Sequence, residues 1–87
     1  MARYSAHAKR RMLERSISEE EVRATVDHPL ETVQTRYGRT AACAKAEEKY
    51  IVVVLEQGAG DLIVATALKV DKERARRYGF NRVRPRS

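Results

Sequence analysis

The chain has 87 residues, 43% of them hydrophobic, and a formal net charge of +6, which fits one folded domain with a modest core rather than a disordered chain. A single cysteine excludes an internal disulfide and a cysteine-rich zinc site, and the longest apolar run, Tyr50 to Leu55, is far too short to span a bilayer. With no disulfide staples and no basic-then-apolar leader, the expected location is cytoplasmic and away from membranes.

A first helix is expected from Ser5 to about Arg15, with Ser5 as its cap and Ala6, Ala8, Met12 and Leu13 as small and apolar packing positions. The next boundary is the sharpest in the chain. Ser18 and Glu21 form a capping box, and Ile17 and Val22 make the hydrophobic staple that accompanies it. Val22 and Val26 then face the core, and His28-Pro29 stops this second helix because residues before proline avoid the helical region.

From Leu30 the period becomes extended. Glu31 to Tyr37 alternates, with Val33, Thr35 and Tyr37 on one side, and Gly38 supplies a turn. Arg39 to Glu47 reads as an alanine-rich strand, although Ala41-Ala42-Cys43-Ala44 fits a helix equally well. Glu47-Glu48-Lys49 is a polar reversal. Tyr50 to Glu56 is almost wholly β-branched or apolar, as in a central strand covered on both faces. Gly58 to Asp61 is a turn, and Leu62 to Lys69 a last strand. Asp71 can cap a short basic helix over Lys72 to Tyr78, with Gly79 in a left-handed position and Phe80 as a hydrophobic contact after it. Asn81 to Ser87 reads as a frayed end.

These elements predict an α+β fold with two N-terminal helices packed on a three- to four-stranded antiparallel sheet, followed by the short basic helix. Residues 1–70 form the single domain and residues 71–87 a basic C-terminal helix and tail.

The charge is unevenly placed. Residues 69–87 hold eight basic residues against Asp71 and Glu73, whereas residues 1–68 balance at ten of each sign. Arginine predominates in the tail, and its guanidinium fork suits phosphate. Arg74, Arg76, Arg77, Tyr78 and Arg82 there, with Lys9 and Arg10 on the first helix, are the candidate nucleic-acid contacts. A solvated, merely solubilising tail is the bland alternative.

His7, Arg11 and Arg15 recur at i, i+4 and i+8 and share one helical stripe. An imidazole among guanidiniums suits metal-independent RNA cleavage, which needs a base for the 2′-hydroxyl, a cation for the phosphorane and an acid for the leaving oxygen. The competing reading is a solvated basic helix face. His7 and His28 lack converging carboxylates, so no metal site is expected. Cys43 has no histidine nearby in sequence, Gly58 and Gly60 make no phosphate loop, and no cofactor is expected.

The run His7-Ala8-x-x-Arg11-Met12-x-x-Arg15-x-Ile17, followed by Ser18 to Val22, resembles the opening of a small bacterial domain-of-unknown-function family, number 4258. Pro29 then Val33, Gly38-Arg39, the Ile51 to Leu55 strand and Ile63 to Thr66 fit it too. Ser16 departs from it, standing where the family has glycine. The resemblance covers roughly residues 3–70 and implies kinship with RelE/ParE-like and barnase–EndoU–colicin nuclease folds. It implies a toxin-type endoribonuclease paired with an acidic antitoxin, with His7, Arg11, Arg15 and Thr66 as the catalytic set and RNA as substrate. The alternative is a non-catalytic module binding nucleic acid or protein on the same fold. A third reading is an interaction subunit whose two-helix face is the interface. Oligomeric state is open.

Overall fold

Ser5 shows how a short polar residue starts this fold. In the computed structural model, which describes residues 2–35 and 38–81, Ser5 follows a three-residue strand β1 (Ala2–Tyr4) and caps helix α1 (Ala6–Arg15). Its Oγ accepts from the Ala8 N–H at 2.9 Å, which satisfies one of the amides a helix start leaves orphaned. Ser16 ends α1 in the left-handed region at φ 56°. Two residues on, Ser18 and Glu21 make the reciprocal capping box of α2 (Glu19–Asp27), and three glutamates in its first turn complement the helix dipole.

Four longer strands follow: β2 (Glu31–Gln34), β3 (Thr40–Ala46), β4 (Lys49–Gln57) and β5 (Leu62–Val70). The alanine-rich stretch is therefore a strand. Ala41, Ala42 and Cys43 are buried in β3, where sheet pairing on both sides overrides the high helix propensity of alanine. The last helix, α3 (Lys72–Arg77), is capped by Asp71 Oδ1, which accepts from the Arg74 N–H at 2.8 Å. Gly79 follows at φ 103°.

The expected fold needs correction. The sheet has five strands in the order β1-β5-β4-β3-β2, and it is mixed, because β1 runs parallel to β5 while the remaining pairs are antiparallel. The unexpected strand is β1. Three residues with no alternating pattern carry no strand signal of their own, and this strand forms because β5 offers an open edge at Leu62, Ile63 and Val64.

Helices cover both faces of the sheet. Ala8, Met12, Ile17 and Val22 pack on Ile51, Val53, Leu55, Val64 and Ala67, and this is the face of α1 and α2. On the opposite face, Ala75 and Phe80 close over Ala41, Cys43, Tyr50, Val52 and Val70. The second cluster explains why Tyr50 to Leu55 is continuously apolar: β4 is central and buried on both sides. It also makes the start of the C-terminal segment part of the core.

Candidate functional site: the basic faces

The stripe of α1 divides once its neighbours are visible. Ala8 and Met12 point into the core, and Arg15, seven residues after Ala8, turns the same way. Its Nη1 donates to the Ala67 carbonyl of β5 at 2.9 Å. β1 pairs with β5 only as far as Val64, so beyond that point β5 is an edge with outward carbonyls. Three are taken up locally: Val64 O accepts from the Ser5 N–H at 3.1 Å, Ala65 O from Ser5 Oγ at 3.2 Å, and Ala67 O from Arg15. Ala65 is the extra residue of a β-bulge, since Val54 pairs with Thr66 and Leu55 with Val64. α1 thereby blunts the edge. Arg15 is a structural clasp.

Arg11 lies half-buried on the flank of α1, where its Nη1 meets Glu14 Oε1 at 3.0 Å. His7 is exposed one turn earlier on the same flank. Lys9 and Arg10 are exposed as well.

Thr66 does not join them. It pairs with Val54, which pairs with Ala41, and Ala41 belongs to the cluster under α3. Cross-strand partners share a face, so the Thr66 side chain sits on the side of the sheet opposite α1. The sequence-derived set thus separates into His7 and Arg11 on one flank, Arg15 clasping the strand edge, and Thr66 on the far face.

The other basic face is α3. Ala75 is fully buried, whereas Arg74, Arg76 and Arg77 are exposed. Arg77 reaches Glu73 at 3.9 Å, with both side chains about three-quarters exposed, so this pair holds its arginine only weakly. Tyr78 is half-buried beside them, its ring 6.4 Å from that of Phe80. Arg82 lies outside the described residues. Lys69 turns to the other face, where its Nζ meets Ser16 O at 3.5 Å and Glu21 Oε2 at 4.0 Å.

Sequence reasoning missed one feature, a groove between α1 and α2 lined by Lys9, Met12, Leu13, Ile17, Ser18 and Glu19. Leu13 was expected to pack inward and is instead 84% exposed. The available signal was its phase, since Leu13 falls off the stripe set by Ala8 and Met12.

Cys43 is fully buried, and burial, helped by Glu31, pushes its thiol up to about 11. A protonated, inaccessible thiol is no nucleophile. Among the described residues, no three His, Cys, Asp or Glu side chains converge as metal ligands, and no helix is long and apolar enough to cross a membrane.

The family model described as Domain of unknown function (DUF4258) matches residues 4–74. No curated protein and no solved structure matches the chain.

Proposed function

We propose that the chain, which belongs to the family described as Domain of unknown function (DUF4258), is a nucleic-acid-binding module that grips single-stranded RNA with the basic face of α3. One observation carries this reading. α3 is anchored by Ala75 in the core and still presents Arg74, Arg76 and Arg77 to solvent. A fixed backbone holding three guanidiniums loses less entropy on meeting phosphates than a free tail would. Each arginine can form bidentate bonds with a phosphate, and the half-exposed Tyr78 ring offers a base a surface to stack on. An acidic protein, such as an antitoxin, would compete for the same face.

A metal-independent ribonuclease of toxin–antitoxin type, on a RelE/ParE-like or barnase–EndoU–colicin scaffold, is the second reading. What favours it is the flank of α1 shared by exposed His7 and half-buried Arg11. In that mechanism His7 takes the 2′-hydroxyl proton, Arg11 leaves Glu14 to meet the phosphate, and a water molecule protonates the leaving 5′-oxygen as the cyclic phosphate forms. It works without Arg15, which holds Ala67, and without Thr66, which lies across the sheet.

Titration of a labelled single-stranded RNA with the full chain, in excess chelator, distinguishes the two. The binding reading expects affinity that falls as salt rises, with the RNA recovered intact. Cyclic-phosphate products that disappear in His7→Ala would establish cleavage instead. No binding at low salt would sink both.

A further inference from the structure

The two edges of the sheet are finished differently. Along β5, Ser5 and Arg15 take up outward carbonyls, and a bulge at Ala65 breaks the ladder. β2 forms the opposite edge. The Thr35 N–H donates to the Arg39 carbonyl at 2.8 Å, so Thr35, Val33 and Glu31 turn their backbone groups toward β3. Alternation then turns those of Thr32 and Gln34 outward. Both residues are exposed, and among the described residues no hydrogen bond engages their outward groups. α2 packs over β3 and β4, and Glu31 to Gln34 includes neither of the common guards of an edge, lysine and proline.

We propose that this edge pairs with the same edge of a second copy, β2 against β2 antiparallel, about a two-fold axis normal to the sheet at Val33. The outward residues set the register. With Val33 opposite its own copy, Thr32 of each chain stands opposite Gln34 of the other, and their N–H and C=O groups exchange four hydrogen bonds in all. Centring on Thr32 instead would set Gln34 opposite Leu30, whose N–H is already given to the Cys43 carbonyl at 2.7 Å. A strand from another protein would cover this edge and present a new one of its own, whereas the copy brings the same edge, so pairing closes at two chains.

The side chains suit this register. Val33 meets its own copy on the α3 face, where it already borders the cluster under that helix. Thr32 and Gln34 form neutral polar pairs on the other face, since Thr32 aligns with Ala42 and Val53. Glu31, the charged residue of β2, stands opposite Thr35 rather than another carboxylate. An axis normal to the sheet keeps each face on its own side. Both α3 helices therefore lie on one side of a continuous ten-stranded sheet and offer two sets of Arg74, Arg76 and Arg77 to one ligand. The pairing itself does not depend on RNA binding.

Sedimentation of the full chain over a range of concentrations tests it. A contact this short belongs to the weak class, so the wild type should pass from monomer to dimer toward the upper end of the range. Thr32→Pro removes an outward donor and leaves the ladder to β3 intact. By symmetry it removes two bonds, so the dissociation constant should rise about tenfold or more. Should that variant disturb the fold, charge pairs decide. Thr32→Lys with Gln34→Lys, and Thr32→Glu with Gln34→Glu, alter exposed side chains and should each abolish self-association with unchanged circular dichroism. An equimolar mixture of these two double variants should recover a dimer holding one of each. A wild type that stays monomeric at the highest workable concentration overturns the proposal. So does a dimer that persists in both double variants, or a mixture of them that gains nothing.

Discussion

Arg15 and Ala67, fifty-two residues apart, are joined by a 2.9 Å hydrogen bond from guanidinium to backbone carbonyl. The bond ties the end of α1 to the stretch of β5 that β1 leaves unpaired. A charged donor on a partly buried carbonyl contributes about 1–3 kcal/mol. Arg15→Ala should therefore lower unfolding stability by roughly that amount, measured by urea denaturation, while RNA affinity stays unchanged. A large loss of affinity with full stability would return Arg15 to the phosphate-binding set.

Ser16 holds φ 56° at the end of α1, a conformation that a side chain makes costly and glycine adopts freely. Ser16→Gly should raise stability by about 0.5–1 kcal/mol, after allowing for the greater freedom of glycine in the unfolded chain. Thermal unfolding reads this directly. A lower melting temperature would mean that the Ser16 side chain contributes something its backbone geometry does not reveal.

Phe80 is 1% exposed over the cluster formed by Ala41, Cys43, Tyr50, Val52 and Val70. Phe80→Ala should cost about 3–5 kcal/mol, a large share of a small domain's stability. Truncation after Lys69 should accordingly unfold or severely destabilise the protein, visible as lost near-ultraviolet dichroism. For that reason the function of α3 is better probed by surface substitution than by deletion.

Burial, aided by Glu31, raises the Cys43 thiol from 9.0 to about 11. The folded state therefore keeps a proton that the unfolded chain releases first as pH rises. Stability from this group is complete below about pH 9 and is lost as pH climbs through about 11. Denaturation midpoints should fall across that window in the wild type and less so in Cys43→Ala. Equal slopes in the two proteins would remove Cys43 as the cause.

Local chemistry was legible in the sequence where it is self-contained. The Ser18–Glu21 box, the Asp71 cap and the Gly79 turn each involve residues within a few positions of one another, and each forms as its sequence pattern requires. What depended on distant partners was not legible. β1 exists because β5 has a free edge, and Arg15 faces inward because that edge has carbonyls to satisfy. The i, i+4, i+8 spacing of His7, Arg11 and Arg15 suggested a common site, yet forty degrees of rotation per step is enough to carry Arg15 from the flank to the core side. The face occupied by Thr66 could not be foreseen either, because the bulge at Ala65 reverses the alternation along β5.

In the proposed role the anchored arginines of α3 hold RNA phosphates, and the salt dependence of RNA binding reads that contact. Replacing Arg74, Arg76 and Arg77 together with Ala should weaken binding and lower the slope of log affinity against log salt by about 2, at roughly 0.7 per phosphate contact on a single strand. Stability should hardly change, because all three side chains are exposed. An unchanged affinity and slope in a folded triple variant would contradict the claim and place any RNA-binding surface elsewhere on the molecule.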